Sequence, residues 1–153
     1  MADQVTRSLT INAPIETVYQ IWANFETFPH FMQNIERVIK TGDGLSHWVM
    51  RGPLGTQLSW DARTTRLDEN ERVAWNSLDG GDIKTSGQVI FHENSDGSTE
   101  ITVTLLYVPP FGKLGDAAAH LFDNPEQKLE EDLRNFQRYA ESQHSGRSYE
   151  VGA

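Results

Sequence analysis

Residues 84–108 read KTSGQVIFHENSDGSTEITVTLLYV, and this stretch decides the fold class because it holds the clearest strand of the chain. Apolar side chains take one parity of its second half and threonines take the other: Ile101, Val103, Leu105 and Tyr107 against Thr102 and Thr104. This alternation is typical of a strand with one buried face. Residues 94–97 (NSDG) form a turn sequence, so the whole stretch predicts an antiparallel hairpin.

The same alternation of strand-forming runs and turn sequences is present upstream, towards the N-terminus. Turn sequences rich in Gly, Asp and Asn recur between residues 41 and 82 and separate short runs of strand-forming residues. They predict consecutive antiparallel strands at about 34–40, 45–51, 56–67, 72–78, 84–93 and 99–108. A further strand is predicted at 5–11, where β-branched residues dominate.

Helical patterns flank these strands. Ile15, Val18, Tyr19 and Trp22 form one apolar stripe, and a short aromatic stretch follows in which Pro29 prevents one continuous helix. A long C-terminal helix is predicted from Pro125 to about residue 142, with 143–153 as a polar, flexible tail. The order predicts a single α+β domain over 1–142, with two short helices after the first strand. A sheet of seven strands curls, and a helix across its concave side leaves room for a pocket.

Composition narrows the classes of function. The chain has 153 residues, 22 acidic against 13 basic, and a net charge of −9, which argues against nucleic-acid binding. It has no cysteine, and its five histidines show no metal-ligand spacing, so we expect no metal or cofactor. No apolar run is long enough for stable membrane insertion, and no signal-peptide pattern is present; we expect a cytoplasmic protein.

Strand parity supplies candidate cavity residues. If the apolar parity of each strand faces the long helix, the cavity candidates are Trp48, Met50, Trp60, Arg66, Trp75, Ser77, Phe91 and Tyr107, with Leu129 and Phe136 from the helix. Arg66 shares the parity of Trp60 only if no β-bulge interrupts the strand, and a one-residue slip would place it in solvent. Leu121 and Phe122 join the candidates if a short helix at 114–122 pivots between Gly112 and Gly115; the alternative is an immobile first part of the C-terminal helix.

Several short motifs together resemble a known family. They are Ile11-Asn12-Ala13-Pro14, Val18-Tyr19-x-x-Trp22, Phe25-x-x-Phe28-Pro29-x-Phe31-Met32, Trp75-x-Ser77 and Tyr107-x-Pro109-Pro110. Their order over residues 4–141 resembles the helix-grip fold of the START and birch-pollen-allergen superfamily. Within it, the chain is similar to the polyketide cyclase/dehydrase family of small bacterial proteins. The resemblance implies a curved seven-stranded antiparallel sheet wrapped around the C-terminal helix.

The resemblance also implies a function. Family members bind apolar ligands in an internal cavity, and the cyclases among them place aromatic residues of the post-helix segment there, which implies Phe28, Phe31 and Met32. They also use a cavity arginine on the long central strand, which here is Arg63 or Arg66. We expect binding or transport of a hydrophobic lipid-, quinone- or polyketide-like molecule. The alternatives are a polyketide cyclase, aromatase or dehydratase acting in the same cavity, and an interaction module whose own side chains fill the core.

No catalytic group stands out from the residues themselves. The chain contains no nucleophile elbow and no phosphate loop, and no dedicated acid–base pair is evident. The acidic run at 130–132 reads as a solvated helix edge. The catalytic residues of the enzyme alternative therefore stay unassigned.

Overall fold

The computed structural model describes residues 3–52, 55–108 and 124–152, with side chains for 4–52, 55–106 and 124–143. Its strands are β1 (Asp3–Ile11), β2 (Ile35–Gly42), β3 (Leu45–Arg51), β4 (Gln57–Asp68), β5 (Arg72–Ser77), β6 (Lys84–Glu93) and β7 (Thr99–Val108). Its helices are α1 (Ile15–Ala23), a 3-10 helix (Phe25–His30) and α2 (Pro125–Gly152).

The seven strands form one antiparallel sheet in the order β1-β7-β6-β5-β4-β3-β2. Strands β2 to β7 are consecutive hairpins, and β1 closes the order by pairing with β7. The α+β architecture predicted from the sequence is therefore confirmed, together with all seven strands. The two faces of the sheet differ in polarity. The inner face buries apolar side chains at alternate positions of the strands, among them Val5, Val89 and Val103, whereas the residues between them face outwards and are largely polar.

The first two helices cover one end of the inner face. Helix α1 starts directly after Pro14, whose carbonyl oxygen accepts the Val18 amide at 3.1 Å. Asn24 separates it from the 3-10 helix and caps that helix through its side chain, which accepts the Glu26 amide at 3.3 Å. Helicity breaks at Asn24, whereas Pro29 lies inside the 3-10 helix, so the interruption predicted at Pro29 is wrong.

Helix α2 packs on the inner side through one stripe. The side chains of Leu129, Leu133, Phe136 and Ala140 are each no more than 2% exposed, as their spacing predicts. The helical backbone continues to Gly152, so the end predicted near residue 142 is wrong. Once a helix has formed, each added residue gains a backbone hydrogen bond, and polar composition alone does not end it. The flexibility of 143–153 stays a prediction.

Within the ranges given above, no helix is long and apolar enough to cross a membrane.

Candidate ligand cavity

A cavity of about 120 Å³ lies between the inner face of the sheet, the segment after the 3-10 helix and the first turns of α2. Its described lining is mostly apolar: Val5, Met32, Asn34, Ile35, Trp48, Met50, Trp60, Trp75, Ile83, Thr85, Leu105, Pro125, Lys128, Leu129 and Asp132. A dry cavity of about 150 Å³ in another protein holds benzene. This cavity therefore suits a single ring, or a comparable length of acyl chain, without rearrangement.

Three tryptophans on neighbouring strands form one wall. The Trp48 ring lies nearly parallel to the rings of Trp60 and Trp75, with centroids 5.9 and 6.1 Å away. Trp48 and Trp60 are direct cross-strand partners on β3 and β4, which explains their stacking. The Trp48 indole Nε1 donates to the Ser46 hydroxyl at 2.8 Å, so its orientation is fixed. Strand parity predicted that all three tryptophans line the cavity, and all three do.

Two glycines make room for these rings. A Cβ atom at Gly87 would lie 2.4 Å from Trp75 Cζ2, and one at Gly81 would lie 2.6 Å from Trp60 Cβ. Both distances are shorter than real carbon contacts, which lie near 3.5–4.0 Å. The backbone of β6 and of the segment before it therefore approaches the tryptophans as closely as only glycine permits.

The phenylalanine candidates belong to the core. Phe28, Phe31, Phe91 and Phe136 are at most 6% exposed, and none of them is among the described residues that line the cavity. Phe28, Phe31 and Phe136 surround Trp22, with ring centroids 5.2, 5.4 and 4.8 Å from it. Phe28 packs against Trp22, Trp48 and Trp75, and Phe31 packs against Trp22 and Phe136. Of the Phe28–Phe31–Met32 set, Met32 is therefore the residue that lines the cavity.

No arginine of β4 faces the cavity. A β-bulge lies between Thr64 and Arg66, and it moves Arg66 to the outer face opposite Ala74. Arg66 is 55% exposed and pairs with Asp68 at 2.9 Å. Arg63 is exposed on the same outer face, opposite Asn76. The expectation of a cavity arginine is therefore wrong for both residues, and for Arg66 the bulge is the physical reason.

The remaining candidates divide into three groups. Met50 and Leu129 line the cavity as expected. Ser77 is not among the described residues that line the cavity; its hydroxyl accepts the Thr85 amide at 2.9 Å, and Thr85 itself lines the cavity. The side chains of Tyr107, Leu121 and Phe122, and the proposed pivot at Gly112 and Gly115, lie outside the described residues.

One side chain that lines the cavity, Asp132, was not among the residues predicted from the sequence. Asp132 lines the cavity and is half-buried, whereas Glu130 and Glu131 beside it are exposed. The solvated-edge interpretation of 130–132 is therefore wrong for Asp132. The signal was present in the spacing, because Asp132 follows Leu129 by three residues and precedes Phe136 by four, which places it on the buried face.

The environment of Asp132 changes its acidity. Burial raises the pKa of this carboxyl from its ordinary value to about 7, and the charge of Glu131 adds to the rise. Hydrogen bonds from Gln33 and the charge of Lys128 oppose it. Oδ1 of Asp132 accepts the Gln33 amide at 3.2 Å. The carboxyl of Asp132 therefore titrates near neutral pH.

The same helix holds the cavity segment in place. Gln33 Nε2 donates to the Glu131 carboxylate at 3.0 Å, and Asn135 Nδ2 donates to the Phe31 carbonyl at 3.2 Å. These bonds tie the segment between the 3-10 helix and β2 to α2. Met32, Asn34 and Ile35 of that segment line the cavity, so its shape depends on this attachment.

Metal ligation has no geometric basis in the part of the chain that the structure describes. There, no three His, Asp or Glu side chains converge. The closest His–Asp contact, His47 Nδ1 to Asp61 Oδ1 at 2.9 Å, is on the outer face of the sheet.

The sequence and fold match known proteins. A family profile described as "Polyketide cyclase / dehydrase and lipid transport" matches residues 11–134. An uncharacterized 17.2 kDa protein in the melC2-rnhH intergenic region of Streptomyces lincolnensis is 32% identical over 140 residues, which cover 90% of this chain and 89% of that protein.

Two solved structures show the same architecture. A structural-genomics protein of Deinococcus radiodurans is 32% identical with a TM-score of 0.74, and the match covers 91% of this chain and 97% of the other. The Zhui aromatase/cyclase of Streptomyces sp. R1128 is 19% identical with a TM-score of 0.69 and coverages of 92% and 94%. At that identity the second likeness establishes the fold alone. The helix-grip fold and the family resemblance are both confirmed.

Proposed function

This chain belongs to the polyketide cyclase/dehydrase and lipid transport family, and from that premise we propose that it binds or carries a hydrophobic small molecule in the cavity beneath α2. The observation that carries the proposal is the cavity wall, in which the Trp48, Trp60 and Trp75 rings stand beside a few polar groups. Apolar walls with a small number of placed polar groups are typical of small-molecule sites. A lipid-, quinone- or polyketide-like ligand would place a ring or a short length of chain there.

A second candidate is a cyclase or dehydratase acting in the same cavity. Asp132 favours it, because a cavity carboxyl with a pKa of about 7 suits proton transfer at neutral pH. Two observations favour the carrier. Arg63 and Arg66 both face outwards, and Asp132 and Lys128 are the only titratable side chains among the described residues that line the cavity.

A pair of tryptophan substitutions tests the proposal. Leu105 lines the cavity, and Leu106 is the next residue of β7 with its side chain on the opposite face. Leu105→Trp should fill the cavity and weaken binding of a neutral apolar fluorescent probe at least tenfold, whereas Leu106→Trp should leave binding unchanged. Thermal unfolding of both variants checks that they are folded, since overpacking costs about 1–3 kcal/mol.

Two results would contradict the proposal. Equal probe affinity in the wild type and both variants would place the probe elsewhere, and no binding to any of them would favour the interaction module with a filled core. Native mass spectrometry of the purified wild type complements the titration by revealing an apolar molecule that remains bound through purification.

The cellular location is part of the same proposal. A chain without cysteine needs no oxidising compartment, and we place the protein in the cytoplasm. Fractionation of expressing cells tests this, and recovery from the membrane or secreted fraction would contradict it.

A further inference from the structure

We propose that Trp60 orients the ligand by donating a hydrogen bond from its indole Nε1 to an acceptor oxygen, such as a carbonyl, on an uncharged apolar ring. The basis is a buried donor without a partner on a residue that lines the cavity. This inference rests on the proposed function and adds to it one specificity-determining residue and the chemical class of ligand that it selects.

The Trp60 indole is a donor without an acceptor. Trp60 is 4% exposed, and its Nε1 atom has no hydrogen-bond partner among the described residues. Trp48, which stacks on it, donates from its own Nε1 to the Ser46 hydroxyl at 2.8 Å. A buried N–H group without an acceptor is costly, because it has given up its hydrogen bond to water and gained none in exchange. A ligand that brings an acceptor to Trp60 removes this cost.

Trp22 has the same kind of unpartnered donor in a different place. Its Nε1 is also buried without a partner, but Trp22 is not among the described residues that line the cavity. The rings of Phe28 and Phe31 are inclined to it at 83° and 65°, so that the edge of one ring meets the face of the other. An aromatic face is a weak acceptor for an N–H group, and the core around Trp22 supplies such faces.

Trp60 has no inclined ring of this kind. Among the described residues, Trp48 is the one aromatic ring packed against it, and the two planes differ by only 20°. An indole N–H bond lies in the plane of its own ring, so it runs alongside a parallel neighbour and does not point at that neighbour's face. The acceptor for Trp60 therefore has to come from elsewhere, and the cavity that Trp60 lines is the space that can hold one.

The charges of the lining favour an uncharged ligand. Lys128 and Asp132 both line the cavity one turn apart on α2, and Lys128 lowers the pKa of Asp132, so the two charges act on each other. Above the Asp132 pKa of about 7, a ligand charge of either sign would meet one like charge in the lining and would also lose its hydration. An uncharged acceptor avoids both costs.

The rest of the lining fits the apolar body of such a ligand. The cavity of about 120 Å³ suits one ring, and Ile83 and Leu105 line it together with the tryptophans. In an apolar site, a single placed donor fixes the orientation of the ligand more than it adds to its affinity. The ring would therefore lie with its oxygen towards Trp60.

Cyclohexanone and methylcyclohexane test the inference, because they share one ring and differ in a carbonyl oxygen against a methyl group. Each is titrated at about pH 8 into isotope-labelled wild type, and NMR follows the signals of the four indole N–H groups. Trp60→Phe removes the donor and keeps an aromatic ring. Trp22→Phe is the matched control, because it removes the other unpartnered donor from the core. The signal that is missing from each variant identifies Trp60 and Trp22.

We expect cyclohexanone to move the Trp60 indole proton downfield, as a new hydrogen bond does, and to leave the Trp22 signal in place. Methylcyclohexane should bind without the downfield shift. The ratio of ketone to hydrocarbon affinity should fall roughly 3- to 10-fold in Trp60→Phe, the typical size of one net hydrogen bond, and stay unchanged in Trp22→Phe. The ratio isolates the hydrogen bond, because the lost ring volume affects both ligands. Cyclohexanecarboxylate and cyclohexylammonium should bind more weakly than the ketone.

Three results would overturn the inference: a Trp60 signal that cyclohexanone does not move downfield, a ratio that changes equally in both variants or in neither, or tighter binding of a charged analogue. The wild-type spectra decide the first point even if Trp60→Phe does not fold. Methylcyclohexane separates the two proposals. If it binds while the ketone leaves the Trp60 signal in place, the hydrophobic carrier stands and the role of Trp60 is wrong; if neither ligand binds, both fall.

Discussion

Gly87→Ala is the most demanding test of the packing around the cavity. Gly87 of β6 pairs with Trp75 of β5, and an added Cβ would lie 2.4 Å from Trp75 Cζ2 and 2.8 Å from Cε2. The ring would have to move by roughly 1 Å to restore ordinary carbon contacts. The Trp75 ring is 3% exposed and packed against Phe25, Phe28 and Trp48, with centroids 5.3 to 6.1 Å away, so these neighbours resist the movement and the free space beside the ring is the cavity that it lines.

The magnitude follows from two opposing effects. Overpacking a well-filled core costs about 1–3 kcal/mol. Replacing glycine removes freedom from the unfolded chain and returns about 0.4–1 kcal/mol where the backbone allows alanine. The net expectation is a loss of about 1–2 kcal/mol in the free energy of unfolding, together with altered probe binding, because Trp75 also lines the cavity.

Urea titration followed by tryptophan fluorescence measures the loss, and Gly42→Ala is the matched control. A Cβ at Gly42 would lie 3.5 Å from Leu45 Cδ1, an ordinary contact, so that variant should stay within about 0.5 kcal/mol of the wild type. Equal midpoints for the two alanine variants would refute the close approach of β6 to Trp75.

Three further predictions address the core, the carboxyl and the surface charge. Phe136→Ala should cost about 3–5 kcal/mol in denaturant titration, because the ring is fully buried against Trp22 and Phe31, and a loss below about 1 kcal/mol would contradict this packing. Because the pKa of Asp132 is raised, its neutral form stabilises the fold fully below about pH 3.8, and this stabilisation is lost as the pH rises through about 7. Asp132→Asn should therefore have the same free energy of unfolding as the wild type at low pH and a higher one at pH 8. A difference between the two proteins that does not change with pH would contradict the raised pKa. At physiological salt, submicromolar protein should not retard DNA in a gel-shift assay, given the net charge of −9, and a salt-sensitive shift would overturn this.

The strands could be predicted because residues that favour turns stand at their ends. The predicted ranges 45–51, 84–93 and 99–108 coincide with β3, β6 and β7, since turns rich in Gly, Asn and Asp bound them. No turn-forming residue signals the bulge between Thr64 and Arg66. It lies inside a strand of 12 residues, and a single unpaired residue there reverses the side of everything that follows.

The cavity residues were harder to predict, because facing the helix is not the same as lining a void. Phe31 and Met32 are adjacent in sequence and both buried, yet only Met32 lines the cavity, because the Phe31 ring packs against Trp22 and Phe136 instead. Asp132 was hidden by its acidic neighbours. Its spacing from Leu129 and Phe136 along the helix predicts that Asp132 is on the buried face, whereas the run of acidic residues predicts an exposed one.

The stacked tryptophans have a spectroscopic consequence. Trp60, Trp48 and Trp75 lie nearly parallel, with interplanar angles of 20° and 18°, and their ring centroids are about 6 Å apart. Electronic transition dipoles at such separations couple, so the three indoles should absorb as one chiral chromophore. A molecule that wedges against any one ring would change the exciton signal of all three in circular dichroism, which gives this protein an intrinsic, label-free reporter of cavity occupancy.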